Sequence, residues 1–259
     1  MKNGGRFSEG QVSGNRFGVP ASFPEPPPAL PAFPPKEAIR GFFESIAFRY
    51  DSINSLLSFR WDEAWRKKAA RQILEGGGKR GAILDLGVGT GKFLERFLGE
   101  KSWERAVGVD FAREMLKRAR ARLGLRCQLI QADIHDLPFE AESFDLVISS
   151  FTLRSVKDLP HFFGEVRRVL TPGGKAAFLC LTRPSGLPRI LYAPYLKCYL
   201  PLVGGMLSRE PKAYRFLSES IQTFFSPPEI QRELESSGFK GVSIFPFSFG
   251  LATLILAEK

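Results

Sequence analysis

From residue 82 onward, short apolar runs alternate with stretches whose apolar residues recur at helical spacing. Runs at 82–86, 106–109, 127–131, 146–150 and 175–181 predict strands. The periodic stretches at 92–98, 112–123, 159–170 and 228–237 predict helices. Strand–helix alternation of this kind implies a mainly parallel sheet with helices on both faces. Two closing runs, 242–249 and 251–257, meet at Gly250 with no room for a helix between them, which predicts an antiparallel hairpin and brings the strand count to seven. Pro246 places the first of these at a sheet edge or a bulge. Ahead of the alternation, Ile46, Tyr50, Ile53, Leu56 and Leu57 recur at helical spacing.

The chain therefore divides into a tail (1–35), a helical cap (36–78) and an α/β domain (79–259) with an insertion at about 183–225. The tail is rich in Gly, Ser and Pro and cannot bury enough apolar surface to offset its ordering entropy. It reads as disordered and partly polyproline. The insertion is apolar, and Pro188, Pro194 and Pro201 are expected to break it.

At 259 residues and 44% hydrophobic content, the chain can bury a sizeable core. Its three cysteines, Cys127, Cys180 and Cys198, are too scattered for a disulfide framework or a zinc site, which fits a reducing, cytoplasmic setting. The first residues lack the apolar segment of a secretory signal, and no uninterrupted apolar run reaches bilayer length. The net charge of +10 suits nucleic acid or anionic lipid. The basic residues form no dense block, however, and the cluster from Arg113 to Arg122 reads as a solvated helix face. No nucleic-acid partner is expected; a homo-oligomer is compatible with the sequence.

Candidate chemistry begins where the first strand ends, at Asp85-Leu86-Gly87-Val88-Gly89-Thr90-Gly91. Glycines let a backbone turn sharply and approach a ligand, and the following helix offers unpaired N–H groups. The dinucleotide pattern needs its third glycine where Lys92 stands, and the phosphate-cradling loop needs Ser or Thr where Phe93 stands. Asp110, at the end of strand two, is placed to accept ribose hydroxyls. Asp133, at the end of strand three, is placed to accept from an adenine amino group, with Ile134 covering the ring. Three acids at the carboxyl ends of adjacent strands form a nucleoside site. The loop spacing and terminal hairpin argue against a dehydrogenase; the ending resembles the class I methyltransferase sheet, whose cofactor is S-adenosylmethionine (SAM).

More specific motifs narrow the resemblance. Tyr50-Asp51-Ser52-Ile53-Asn54, then Leu57-Ser58 and Trp65, match one family signature, and Arg168-Val169-Leu170-Thr171-Pro172-Gly173-Gly174 matches another. Leu137-Pro138-Phe139, Phe151-Thr152-Leu153-Arg154 and the run from Tyr214 to Ile221 also fit. Over about 40–259 the chain resembles the ubiquinone/menaquinone biosynthesis C-methyltransferases, which methylate prenylated quinols with SAM. The resemblance implies that Thr90, Asp110, Asp133, Ile134 and Ser150 contact SAM. Asp85, Gly87, Gly89, Gly91, Met115 and Tyr50 complete the expected cofactor set. Three positions depart from the family: Asp62 replaces a histidine, Cys180 replaces a usual glutamate, and Thr152-Leu153-Arg154-Ser155 replaces Gly-Leu/Ile-Arg-Asn. All three cluster where substrate should lie.

A phenol-like hydroxyl titrates near ~10 and needs help to lose its proton at neutral pH. Arg154 is the expected oxyanion stabiliser and Asp62 or a water the proton acceptor. Asp62 and Glu63 also read simply as exposed helix acids beside Arg60 and Arg66. His135 and His161 read as turn and cap residues. No Cys/His spacing suits a metal, so none is expected. The insertion is a candidate for a prenyl tail and for a peripheral membrane contact through 187–207, or else a lid or subunit interface. Charge alone suggests an RNA substrate, but strand four ends without the Asn/Asp-Pro-Pro-aromatic motif used on exocyclic amines. A SAM-binding relative without activity is the third reading.

Overall fold

The computed structural model describes residues 35–77, 81–99, 103–183, 186–208 and 211–259. The expected tail falls outside them apart from Pro35. Three helices lead: α1 (Lys36–Ile46), α2 (Tyr50–Leu57) and α3 (Trp61–Glu75). The alternation then runs β1 (Ala82–Leu86), α4 (Lys92–Leu98), β2 (Arg105–Asp110), α5 (Arg113–Leu123), β3 (Gln128–Gln131), β4 (Phe144–Ser150), α6 (Leu159–Val169) and β5 (Leu170–Leu181).

The insertion carries α7 (Gly186–Pro194), a π-helical turn (Tyr195–Tyr199), α8 (Leu200–Ser208) and α9 (Pro211–Thr223). Its prolines do not break it. Helical backbone continues from Leu187 to Ser208 because the π turn takes up the backbone disturbance beside Pro194, and Pro201 falls in the first turn of α8. The resulting 22-residue stretch is long and apolar enough to match a membrane span by length and composition, and most of it is not buried. Arg189 and Lys197 interrupt it, so the expectation that no uninterrupted apolar run reaches that length stands beside this helix; the expectation that the prolines break the insertion is the one corrected.

The chain closes with α10 (Pro227–Ser236), β6 (Lys240–Phe247) and β7 (Ala252–Glu258). A capping box, in which Ser226 and Glu229 exchange side-chain and backbone contacts, starts α10. The sheet order is β3-β2-β1-β4-β5-β7-β6. The first five strands are parallel, and β7 runs antiparallel to both β5 and β6. The seven-stranded sheet and its terminal hairpin are as the sequence predicts, and Pro246 lies on the edge strand β6. Strand β5 starts five residues before the predicted 175: Leu170 pairs with Phe144, and regular register resumes at Lys175 beyond the Pro172-Gly173-Gly174 kink.

Alternation along β1 separates two cores. Leu84 and Leu86 pack with Phe162, Phe163 and Val166 of α6 and with Ile230 of α10. Ile83 faces the other way, among Ile73, Phe93 and Phe97. Each such fully buried side chain contributes about 1.5–3 kcal/mol. The strand order reverses between β1 and β4, so the loops leaving them diverge and open a crevice at their carboxyl ends.

Candidate active site

The glycine loop bends through left-handed backbone at Gly87 (φ +70), Gly89 (φ +54) and Gly91 (φ +83). A Cβ at Gly87 would strike Thr152 Oγ1 and lie 2.7 Å from its Cγ2. At Gly89 a Cβ would meet nothing nearer than the Gly87 carbonyl at 3.9 Å, because that side of the loop faces a cavity of about 330 Å³. Gly91 serves packing instead: a Cβ there would press to 2.9 Å on Leu123 of α5.

Asp110 locks the loop from β2. One carboxylate oxygen accepts the Gly89 N–H at 2.8 Å and the other the Ala112 N–H at 2.9 Å. Burial raises its pKa, opposed by these backbone donors. Gly87, Gly89, Asp110, Met115, Asp133, Ile134, Ser150 and Tyr50 all line the smaller cavity. Three expected contacts do not. Gly91 packs on α5, Asp85 lies beneath the loop, and Thr90 points away toward α2. Asp85 is 1% exposed, and the Leu94 backbone N–H and the Arg66 charge only partly compensate its burial. Burial, reinforced by the Asp110 charge, pushes its pKa up to about 8.

The Thr90 hydroxyl donates to Asp51 at 2.8 Å, and Arg122 closes the triangle by donating to Thr90 Oγ1 at 2.9 Å and to Asp51 at 2.8 Å. Glu63 on α3 takes Lys92 and Arg96 of α4. Through these contacts α2 is tied to the glycine loop and α5, and α3 to α4. Asp133 Oδ1 accepts the His135 backbone N–H and contacts its ring, both at 3.0 Å. The His161 backbone N–H is capped by Asp158 at 3.0 Å, and its ring contacts the His135 carbonyl at 2.7 Å. His161 stands in the first turn of α6, and His135 in the turn after β3, where it also lines the smaller cavity.

A second, mainly apolar cavity of about 480 Å³ adjoins the first. The two share Tyr50, Phe151, Phe43, Ile39 and Ser155 as lining. Phe151 holds φ +60, a costly conformation for a bulky residue, on this common wall. Arg154, in a 3-10 turn (Leu153–Ser155), lines the larger cavity. It has no ion pair among the described residues, and its Nε lacks any partner. Desolvation lowers its pKa, opposed by Tyr50 and Tyr214 close by.

Asp62 also lines this cavity, but it is not an exposed helix acid: it is 6% exposed. One oxygen takes Arg66 at 2.6 Å and the other takes the Ser58 hydroxyl at 2.7 Å. Arg66 lies 4.8 Å over the Phe151 ring. Cys180, the other departure, is 1% exposed, outside both cavities, and burial pushes its thiol up to about 12. Arg66, which stands one turn from Asp62, and Tyr214, which opens the run resembling the family through Ile221, are further residues of the larger cavity. The Asp62/Arg66 spacing on one helix face was a usable signal for the first. Tyr214 reaches Arg154 only through the fold of the insertion, and nothing local announces that approach.

A family model described as the ubiE/COQ5 methyltransferase family matches residues 35–259. A demethylmenaquinone methyltransferase of Thermus thermophilus is 36% identical over 221 residues, covering 84% of this chain and 99% of that protein. One from Bacillus cytotoxicus is 33% identical over 240 residues, covering 86% and 96%. Among solved structures, a SAM-dependent methyltransferase from Thermotoga maritima superposes with a TM-score of 0.60 at 20% identity, over 85% of this chain and 99% of that one. A Haemonchus contortus phosphoethanolamine N-methyltransferase solved with SAM gives 0.54 at 18% identity, over 77% and 52%.

Proposed function

Because the chain belongs to the ubiE/COQ5 methyltransferase family, we propose that it methylates a ring carbon of a prenylated quinol of the demethylmenaquinol kind. It is a SAM-dependent methyltransferase. One observation carries the choice of acceptor: a large apolar cavity abuts the nucleoside-type cavity and has on its wall the guanidinium of Arg154, which makes no ion pair and whose Nε has no hydrogen-bond partner among the described residues.

The smaller cavity fits the cofactor. Gly89 leaves the loop open toward the cavity, Gly87 lines it while its missing Cβ makes room for Thr152, and the Asp110 carboxylate stands beside them. Met115, Asp133, Ile134, Ser150 and Tyr50 would hold the remainder. Bound SAM supplies a methyl group already activated by its sulfonium. The protein's task is to place the acceptor carbon in line and to manage charge on the ring.

Arg154 stabilises the oxyanion formed when a ring hydroxyl loses its proton, and the electron pair moves onto the adjacent ring carbon, which takes the methyl group. That carbon then sheds its own hydrogen as a proton and the ring regains aromaticity. One Asp62 oxygen is engaged by Arg66 and the other by the Ser58 hydroxyl, so its charge already serves Arg66. Water is the better acceptor, and Asp62 instead fixes Arg66 against Phe151.

Residues 36–78 act as a cap over the domain at 79–259, and 187–207 offer apolar surface to a prenyl tail at a membrane face, in a cytoplasmic setting. The test supplies methyl-labelled SAM and chemically reduced demethylmenaquinone in detergent, read by mass spectrometry. One labelled methyl on the ring is expected. Methylation of RNA, or of phenols lacking a prenyl chain, with none on the quinol would overturn the reading.

A further inference from the structure

Two tight turns present phenylalanines to solvent. Phe59 (φ +53) is 65% exposed and Phe249 (φ +52) is 82% exposed. Each neighbours a second left-handed residue, Arg60 (φ +63) and Ser248 (φ +45). Four non-glycine residues in this region are held against their backbone preference, and such strain persists only where the surroundings impose it.

The insertion imposes it. The Tyr195 hydroxyl donates to the Leu57 carbonyl at 3.1 Å, and the Tyr199 ring stacks on Phe59 at 5.6 Å. The Tyr192 hydroxyl donates to the Ser248 carbonyl at 3.0 Å, while the Trp65 indole N–H donates to Ser248 Oγ at 2.9 Å. These contacts gather both turns beside α7 and α8, where Leu187, Ile190, Leu191, Leu202 and Met206 are also exposed. Leu57, Ser58, Trp65 and Tyr195, from the same segments, line the larger cavity, so the apolar surface borders the proposed acceptor site.

No aspartate or glutamate occurs in 52–61, 187–208 or 247–253, while Arg60, Arg189 and Lys197 are exposed there. Exposed aromatics and aliphatics ringed by basic groups fit an anionic lipid surface. A second copy of the chain fits less well: a two-fold contact would bring this acid-free patch against itself, with no carboxylate to pair the bases.

We infer that the protein docks on an anionic lipid surface through Phe59 and Phe249, held beside the exposed residues of α7 and α8, with the larger cavity opening next to that surface. The inference extends the prenylated-quinol reading, but lipid binding is measured without turnover, so either can fail alone.

The full chain is floated with phosphatidylglycerol/phosphatidylcholine vesicles and with pure phosphatidylcholine vesicles. Binding to the anionic vesicles is expected, with about tenfold loss in the double variant Phe59→Asn/Phe249→Asn. Asparagine accepts left-handed backbone, so both turns survive. A second variant, Arg60→Glu/Lys197→Glu, should lose the preference for phosphatidylglycerol while its thermal midpoint and SAM affinity stay unchanged. Wild type that fails to float, or aromatic variants that float equally well, would overturn the inference. So would light scattering that shows a dimer which the Phe59→Asn/Phe249→Asn variant splits into monomers. A short-tailed soluble quinol, methylated equally by wild type and the aromatic variant, reports separately on the activity.

Discussion

The Thr90 hydroxyl donates to the Asp51 carboxylate at 2.8 Å, joining the loop after β1 to the first turn of α2 across 39 residues. Arg122 of α5 donates to both. Thr90, an expected cofactor contact, anchors the segment that carries Tyr50 into the shared cavity wall. Asp51→Asn should weaken SAM binding by about tenfold, the order of one charge-assisted hydrogen-bond network. Titration calorimetry with SAM checks this, and unchanged affinity would separate the clasp from the cofactor site.

Gly87→Ala should be more damaging than Gly89→Ala. The new methyl at 87 collides with Thr152, whereas position 89 faces the cavity. Both carry the cost of left-handed backbone, about 1 kcal/mol. Chemical denaturation should place Gly87→Ala about 2–3 kcal/mol below wild type. Adding Thr152→Ser, which removes one of the clashing atoms, should recover part of that loss and leave the backbone cost in place.

Arg154→Met keeps an unbranched, flexible apolar stem and removes the charge. It should lower kcat by about 10²–10³-fold, the usual scale for one oxyanion donor. SAM affinity should hold within a factor of about two, because Arg154 lines the larger cavity and not the smaller one. Single-turnover methyl transfer together with equilibrium SAM binding separates the two effects.

Asp85 gives the protein a pH-dependent stability. Folded, it keeps its proton up to about pH 8; unfolded, it ionises near its ordinary 3.8. Between those limits the native state binds one more proton than the unfolded state, so stability falls as pH rises. The contribution is full below the unfolded pKa and is lost by about pH 8. Asp85→Asn should flatten the slope and raise stability at pH 8 by roughly 1–3 kcal/mol. Urea titrations of both proteins at pH 5, 7 and 9 test this, and parallel curves would count against a buried neutral carboxyl.

The strands, the α/β alternation and the terminal hairpin could be read from the sequence because they rest on local periodicity: each apolar run buries wherever the neighbouring strands permit. The glycine loop could be read for a similar reason, since Gly87 and Asp110 obey fixed spacings at strand ends. The helix through 187–208 could not, because prolines stop a helix by local rule and a π turn overrides that rule only in context.

By itself, then, the sequence determined the sheet, its order of elements and the residue types at the carboxyl ends of β1, β2 and β3. Only the tertiary structure decided what each side chain does there. It withdrew Thr90, Gly91 and Asp85 from the cavity, gave Asp62 to Arg66 and Ser58, and brought Tyr214 near Arg154. The physical reason is the reach of the interactions. Burial and backbone turns are set by residues close in sequence. Whether a carboxylate or hydroxyl is available to a ligand depends on which distant donor or acceptor reaches it first, and for Thr90 that partner lies 39 residues away.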